Sequence, residues 1–273
     1  MKKLLTIQDI SCYGQCSITI ALPVVSSCNV ETIILPTMLL STHTCGFKNF
    51  TVLDLYQENK KIINHWKNEN IKFDAVYTGY LGNISQIEMV KSINKELNLD
   101  CPLYVDPVMA DYGKLYPAFN IEYVEKMKEL VAISNCVVPN LTEACFLLNR
   151  EYKETYSEEE IKDLLKSLSD LGPTYSVITG ISFNNDTIGA YAYNKETNEY
   201  FYHSSVKSLI NFHGTGDLFS SILFGKLTNG ISLNNAVKDA VEYTYLAIKN
   251  TIDDVDNHAY GVHFESILKY LNK

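Results

Sequence analysis

Six short apolar runs recur along the chain, and several of them end in a polar residue or a glycine. They are LLTIQD (4–9), VETIIL (30–35), FDAVYTG (73–79), PLYVDP (102–107), CVVPN (136–140) and YSVITG (175–180). Most are continuously apolar rather than alternating, which is typical of parallel strands covered on both faces. The runs therefore predict an α/β fold of three layers, with a mainly parallel central sheet between helices.

Helical periodicity fills the segments between these strands, over residues 49–70, 83–98 and 120–134. Such strand–helix alternation indicates right-handed βαβ units. After Gly180 the pattern changes, because two β-rich runs flank the turn-like NKET and predict a late antiparallel hairpin, at 187–194 and 199–206. Three further helices are expected after the hairpin, at 215–229, 232–251 and 262–271.

Composition limits the class of protein. With 273 residues, 46% of them hydrophobic, the chain is expected to form one domain over 1–273. A net charge of −9 argues against a nucleic-acid or anionic-membrane surface. The seven cysteines have no CxxC spacing and predict buried, reduced thiols. Since no apolar run approaches the length of a membrane span, we expect a cytoplasmic protein.

The stretch NFHGTGDLFSS (211–221) contains the most informative motif, Gly214-Thr215-Gly216-Asp217. The apolar pattern after it has helical period, so the glycines lie at a helix N-terminus, where free amides attract anions. Glycine also lets those amides approach a phosphate closely. Asp217 is then either a base that takes a proton from an attacking hydroxyl, or a residue that only stabilises the helix start.

Other candidates are ambiguous when taken one at a time. Asp106 ends a predicted strand, where ligands of open α/β sheets collect, yet an aspartate before proline also suits a turn. Asn140 and Glu143 are candidates to hold Mg²⁺ through water, but N-x-x-E also resembles a helix capping box. His43 and Tyr80 suit an aromatic substrate or ordinary packing. Lys114, in the lid-like ADYGKLY (110–116), suits a phosphate or solvent.

Two common nucleotide-binding motifs are absent from the sequence. No G-x-x-x-x-G-K-[ST] occurs, which excludes a Walker-type NTPase. Gly214 and Gly216 lack the third glycine of a dinucleotide-binding fingerprint, and they come late in the chain. Any nucleotide site must therefore be of another type.

The order of the motifs is more specific than any one of them. IQDISCYG, STHT, GYLGN, DPVM, PNLTEA, VITG and GTGD together resemble the ribokinase-like vitamin kinases, and among them the pyridoxal (pyridoxamine/pyridoxine) kinases. The resemblance covers nearly the whole chain. It implies phosphorylation of the 5′-hydroxymethyl group of a vitamin B6 ring by Mg²⁺-ATP, with a monovalent cation as a further candidate cofactor, and a homodimeric assembly.

The resemblance also implies roles for individual residues. Asp217 matches the family's catalytic base, and Gly214, Thr215 and Gly216 match its anion hole. The pyridine pocket corresponds to Asp9, His43, Thr44 and Tyr80. The ATP site corresponds to Asp106, Asp111, Lys114, Asn140, Glu143, Thr179, Val206 and Phe212, with Asn140 and Glu143 near the metal.

Two departures and three rival functions accompany this resemblance. Many pyridoxal kinases carry serine at the position of Asp9, and a small residue such as glycine is common at that of Cys45. Hydroxymethylpyrimidine (phosphate) kinases share the fold but typically have cysteine, as GTGC, where this chain has Asp217. A sugar kinase would show a Gly-Gly signature, and this chain has no GG dipeptide. A catalytically silent nucleotide- or B6-binding module is the remaining alternative.

Overall fold

A nine-stranded sheet forms the centre of the molecule, in a computed structural model that describes residues 1–44, 46–252, 254 and 260–272. The strand order is β11-β10-β9-β8-β5-β4-β1-β2-β3. Its strands are β1 (Lys2–Ser11), β2 (Val30–Leu40), β3 (Val52–Asp54), β4 (Ala75–Thr78), β5 (Leu103–Val105), β8 (Cys136–Val137), β9 (Tyr175–Ile181), β10 (Thr187–Asn194) and β11 (Glu199–Val206). A separate small hairpin consists of β6 (Ala110–Asp111) and β7 (Lys114–Leu115).

Helices cover both faces of this sheet. One face packs against α2 (Tyr56–Asn68), α3 (Ile84–Glu96), α4 (Ile121–Ala132), α5 (Leu141–Leu147) and α6 (Glu158–Leu171). The other packs against α1 (Ile18–Ser27), α7 (Thr215–Thr228), α8 (Leu233–Ile252) and a 3₁₀ helix (Phe264–Tyr270). Of the helices in the described residues, none is long and apolar enough to cross a membrane.

Strand β1 shows why the sequence favours this arrangement. Leu4 contributes to the core beneath α1 and α7, whereas Leu5 and Ile7 contribute to the core beneath α2–α6. Side chains of a strand alternate between the two faces of a sheet, so a strand with both faces covered needs apolar residues at consecutive positions. The continuous apolar runs of the sequence satisfy this requirement.

The connections of β1 create a crevice at one edge of the sheet. β1 pairs in parallel with β2 on one side and with β4 on the other, and β4 continues in parallel to β5, β8 and β9. The chain thus reverses its direction of travel across the sheet between β1 and β4. Ligands of open α/β sheets bind outside the carboxyl ends of the strands at such a switch point.

The predicted three layers, the parallel strands and the late hairpin are confirmed. The prediction of a helix over 49–70 was partly wrong, because Val52–Asp54 forms β3, which pairs antiparallel with Met38–Leu40, and α2 begins only at Tyr56. The last predicted helix, 262–271, is 3₁₀ rather than α over Phe264–Tyr270. All of the described cysteines are free thiols, as predicted, but Cys12 is exposed rather than buried. Cys45 lies outside the described residues.

Packing of aromatic rings fixes α7 on the sheet. The Phe224 ring lies 4.7 Å from that of Tyr77 on β4 and 5.0 Å from that of Tyr104 on β5, measured between centroids. All three side chains belong to the core on this face. Since α7 carries the GTGD motif at its N-terminus, this packing sets the height of the motif above the strand ends.

We therefore expect Phe224→Ala to lower the free energy of unfolding by about 3–5 kcal/mol, since a fully buried ring is replaced by a cavity. Urea denaturation measures this change. Phe183→Ala is the matched control: Phe183 also contacts two tyrosine rings but is 37% exposed, and a loss below about 1 kcal/mol is expected there. Equal losses in the two variants would contradict the anchoring role of Phe224.

Candidate active site

The carboxyl edge of the sheet gathers most of the residues singled out from the sequence. Asp9 lies near the end of β1, Tyr80 follows β4, Asp106 follows β5, and Thr179 lies near the end of β9. Asn140 is bridged to Thr179 as a neighbour in parallel register. Because these strands are parallel and adjacent, their ends meet in one crevice, and α7 begins above it.

The start of α7 depends on glycine at position 214. Gly214 is the N-cap residue, with φ 79° and ψ 0° in the left-handed region. A Cβ there would fall well inside contact distance of the Gln15 carbonyl oxygen, so the position is closed to other residues on two grounds. Gly216, by contrast, is exposed and has open space where a Cβ would lie. The first turn of α7 is therefore accessible to an anion.

Asp217 stands in that first turn and is half-buried. Burial raises the pKa of its carboxyl to about 7, and the Asp9 carboxylate adds to the rise. The backbone of Ser17, just before α1, lies close enough to the carboxyl to oppose the rise. The group is therefore poised to exchange a proton near neutral pH.

Asp9 forms a second acidic centre in the crevice and is only 5% exposed. Its Oδ1 accepts a hydrogen bond of 2.6 Å from the Ser17 hydroxyl, and its Oδ2 accepts one of 3.3 Å from the Ser11 hydroxyl. Burial raises the pKa of Asp9, whereas the two hydroxyls and the nearby His43 lower it. An anion held in this way suits a cationic or hydroxyl donor on a ligand.

Two aromatic side chains border Asp9. The Tyr80 phenol is close enough that the Asp9 carboxylate adds to the effect of burial, which raises the pKa of Tyr80 to about 12. His43 is buried, and its Nε2 lies 2.9 Å from the Tyr260 carbonyl oxygen. Its imidazole also lies 5.4 Å from that of His213. Asp9, His43 and Tyr80 are thus brought together, whereas Thr44 is exposed at the surface.

Asp106 and Glu143 form a third acidic group beneath α7. Asp106 accepts a 2.7 Å hydrogen bond from the Ser220 hydroxyl of α7. Burial raises its pKa well above the usual range, and Glu143 and then Asp217 raise it further. Burial likewise raises the pKa of Glu143 to about 8, although backbone N–H groups that donate to this carboxyl, including that of Met109, oppose the rise.

Asn140 and Glu143 form a capping box, the structural alternative that the sequence left open. The Asn140 side chain accepts from the Glu143 N–H, and Glu143 Oε2 accepts from the Asn140 N–H, both at 2.9 Å. The Asn140 amide also donates to the Ala110 carbonyl oxygen at 2.8 Å. Because these side-chain atoms already make hydrogen bonds, the pair is better placed to hold a magnesium ion through water than directly. The oxygen chemistry of Asp106 and Glu143 fits such a hard cation, although no group of three or more His, Cys, Asp or Glu with metal-site geometry occurs among the described residues.

The predicted phosphate lid is an ordered hairpin rather than an irregular loop. Asp111 and Lys114 face each other as paired residues of β6 and β7, and both are exposed. At the tip, the Tyr112 hydroxyl accepts a 3.0 Å hydrogen bond from the Asn211 amide, which connects the hairpin to the segment before GTGD. That segment follows Val206, which is 60% exposed, and includes the half-buried Phe212.

Comparison with known proteins agrees with this geometry. The model of the family described as phosphomethylpyrimidine kinase matches residues 4–261. The chain belongs to this family.

One similar solved structure is that of a Bacteroides thetaiotaomicron protein assigned to the phosphomethylpyrimidine kinases, in a crystal form with pyridoxal. It is 36% identical to this chain and has a TM-score of 0.93 over 99% of this chain and 95% of that one. Pyridoxal kinase from Lactobacillus plantarum is 28% identical, with a TM-score of 0.91 over 99% and 96%. The predicted ribokinase-like fold and the resemblance to pyridoxal kinases are thereby confirmed.

Curated relatives include both pyridoxal kinases and a hydroxymethylpyrimidine/phosphomethylpyrimidine kinase. The Arabidopsis thaliana pyridoxal kinase is 29% identical over 204 residues, which is 71% of this chain and 63% of that protein. The Helicobacter pylori hydroxymethylpyrimidine/phosphomethylpyrimidine kinase is 26% identical over 198 residues, 70% of each chain. The chain thus spans somewhat less than two thirds of the Arabidopsis relative.

Several residues of this candidate site could not be identified from the sequence. The hydroxyls of Ser11 and Ser17 donate to Asp9, and that of Ser220 donates to Asp106. Burial raises the pKa of the half-buried Cys16, and the nearby Asp217 and Asp9 raise it further. Serines at strand ends and helix starts are common everywhere, so no local pattern distinguishes them. The only sequence signal was their position within or near IQDISCYG and GTGDLFSS.

The raised pKa of Asp217 predicts how the free energy of unfolding depends on pH. The carboxyl ionises at about 4 in the unfolded chain but near 7 in the folded protein, so stability is lost as pH rises between those values. Asp217→Asn removes this loss and should raise the free energy of unfolding at pH 7.5 by about 1–3 kcal/mol. The gain is smaller than the free energy that corresponds to the whole pKa shift, because solvent screens the partly exposed Asp217 carboxyl. Urea denaturation across pH 4–8 measures the gain. It should vanish towards pH 4, and a gain independent of pH would contradict the raised pKa.

Proposed function

We propose that the chain is a pyridoxal kinase, which transfers the γ-phosphoryl group of ATP to the 5′-hydroxymethyl group of vitamin B6 vitamers and releases the 5′-phosphate and ADP. One observation carries the proposal: Asp217, with a pKa of about 7, stands beside the open glycine turn of α7 and next to the buried Asp9 centre. The names of the family relatives with known structure, including one crystallised with pyridoxal, support it.

Asp217 is placed to act as the base. A carboxyl with a pKa near 7 accepts a proton from the substrate hydroxyl at neutral pH, and it does so as attack on phosphorus proceeds. The free amides of Thr215 and Gly216 then stabilise the negative charge that spreads over the transferring phosphoryl group.

Asp106 and Glu143 would hold Mg²⁺ through water, with Asn140 nearby. When bound, the ion neutralises charge on the nucleotide phosphates. The protein's own contribution is to keep these carboxyl groups fixed by hydrogen bonds from Ser220 and from backbone amides. Lys114 and Asp111 on the β6–β7 hairpin, Thr179, Val206 and Phe212 are the proposed contacts of ATP at the rim.

Asp9, His43, Thr44 and Tyr80 would form the pocket of the pyridine ring. An ionised Asp9 accepts a hydrogen bond from a protonated ring nitrogen or from a ring hydroxyl, and carboxylates play this part beside pyridinium cofactors. The Ser17 and Ser11 hydroxyls and the nearby His43 each lower the pKa of Asp9, although burial has the larger effect and raises it overall. The pocket is therefore expected to prefer ligands that present a donor at this point.

Phosphorylation of hydroxymethylpyrimidine or its phosphate is the second candidate, because the matching family is described as phosphomethylpyrimidine kinase and the Helicobacter pylori relative is named a hydroxymethylpyrimidine/phosphomethylpyrimidine kinase. The presence of Asp217, where that branch typically has cysteine, favours the B6 reaction. A silent binding module is disfavoured by the joint presence of Asp217, Asn140 and Glu143. Homodimer formation, a monovalent cation, a cytoplasmic location and a single domain over 1–273 stay predictions.

A direct assay tests the proposal. Incubation with Mg²⁺-ATP and each vitamer should yield ADP and, from pyridoxal, the absorbance of its phosphate. Asp217→Asn should lower kcat by about 10²–10⁴-fold, because the base is lost, while ATP binding is retained. Asp100→Asn, at an exposed position away from the site, is the matched control. Turnover of hydroxymethylpyrimidine alone would favour the thiamine branch, and binding without ADP would favour the silent module.

The carboxylate of Asp9 generates a prediction about selectivity. Asp9→Ser removes an anion from the ring pocket, so the ranking of kcat/KM among pyridoxal, pyridoxine and pyridoxamine should change. The vitamers differ in the charge and donors that surround the ring, and a buried polar group discriminates strongly when it loses its partner. Asp9→Asn keeps the size without the charge and should resemble Asp9→Ser. An unchanged ranking in both variants would contradict a role for the anion in selectivity.

A further inference from the structure

Ser17 connects the two acidic centres of the site. Its hydroxyl donates to Asp9 Oδ1 at 2.6 Å, and its backbone lies close enough to Asp217 to lower the pKa of that carboxyl. Asp9 belongs to β1, whereas Asp217 belongs to α7, more than 200 residues further along the chain. A single residue before α1 therefore hydrogen-bonds one acid through its side chain and lies near the other through its main chain.

The side chain of Ser17 does not act as a helix cap. Ser17 occupies the N-cap position of α1, where a serine hydroxyl ordinarily accepts a hydrogen bond from an amide of the first turn. No such side-chain bond is present at this position. The hydroxyl is instead committed to Asp9, so helix capping does not account for a serine here.

The backbone of Ser17 is strained, with φ 47° and ψ −128°. Among the described non-glycine residues with positive φ, the others are asparagines and Tyr112, and asparagine is the residue that best tolerates a positive φ in the left-handed region. Strained conformations persist where the surroundings over-determine them, and they cluster at functional sites. Glycine would adopt these angles more easily but would lack the hydroxyl that Asp9 accepts from.

We propose that Ser17 is a positioning residue, which holds the Asp9 carboxyl oriented for the substrate ring. The proposal rests on the proposed function for the identity of the substrate. The link between Ser17 and Asp9 rests on the hydrogen bond, the missing cap and the backbone angles of Ser17.

The electrostatic surroundings make the Ser17 hydroxyl important for Asp9. Burial favours the protonated acid, and the hydroxyl of Ser17 is the strongest opposing influence on its pKa. Ser11 donates to the other carboxyl oxygen over a longer distance of 3.3 Å. The titratable groups that face Asp9 come from four segments of the chain, and they are Cys16, His43, Tyr80 and Asp217.

Three variants separate the hydroxyl from the backbone. Ser17→Ala removes the hydroxyl and keeps the N–H, Ser17→Gly also relieves the positive φ, and Ser11→Ala is the matched control at the same carboxylate. We expect KM for pyridoxine to rise about 10-fold in both Ser17 variants, since a hydrogen bond to an ionised group is lost. kcat should change less than about 3-fold, because Asp217 itself and the main chain near it are unchanged. Ser11→Ala should have the smaller effect on KM.

The pH profile and the substrate-free protein supply independent readouts. Loss of the hydroxyl raises the pKa of Asp9, so the increase of KM in Ser17→Ala should grow as pH falls. Carboxyl ¹³C NMR without substrate, assigned with Asp9→Asn, should show Asp9 titrating at higher pH in Ser17→Ala and Ser17→Gly than in wild type or Ser11→Ala. Unchanged titration, or KM effects equal to those of Ser11→Ala, would overturn the proposal.

The two measurements also distinguish this proposal from the kinase assignment. If wild type phosphorylates no B6 vitamer but Asp9 still titrates at higher pH in the Ser17 variants, the kinase assignment fails and the positioning role is retained. If wild type is active and Ser17→Ala behaves as wild type in both measurements, the positioning role fails alone. Unfolding measured in urea provides the structural control, because Ser17→Gly relieves strain and should be the more stable of the two variants.

Discussion

Burial of carboxyl groups is the constraint on which the site depends. Desolvation is the leading reason why the pKa values of Asp9, Asp106, Glu143 and Asp217 are raised, and several of them raise one another further. Acids placed together in this way oppose folding, so their retention requires donors that fix them. The donors are hydroxyls and amides from other elements, above all Ser17, Ser220 and the amides after β5 and β8.

An acidic chain that handles a nucleotide needs a positive potential only where the phosphates lie. The net charge of −9 belongs to the chain as a whole, whereas the start of α7 presents its first-turn amides beside the open space at Gly216. Phe224 packs edge-to-face against Tyr77 and stacks on Tyr104, and these contacts fix that helix over the strand ends. Core packing on one face of the sheet thus sets the electrostatics of the crevice.

Sequence patterns predicted the parts of the fold that follow from local physics. Continuous apolar runs predicted the buried parallel strands, and alternation around NKET predicted the hairpin of β10 and β11. β3 was missed because three exposed residues, Val52–Asp54, carry no pattern of their own and form a strand only by pairing with Met38–Leu40. The 3₁₀ geometry of Phe264–Tyr270 was missed as well, since it has the same apolar residues as an α-helix would.

The residues of the candidate site likewise divide into those that sequence patterns reveal and those that only the fold reveals. Asp217, Asp106 and Asn140 could be singled out because each lies at a strand or helix end within a motif. Ser17 could not, since its position before a helix is where serine caps are expected and only the fold brings Asp9 and Asp217 to either side of it. The N-cap without a capping bond and the positive φ are visible only in three dimensions. A residue that gives its hydroxyl to a buried acid instead of to its own helix indicates that the orientation of that acid is itself part of the function.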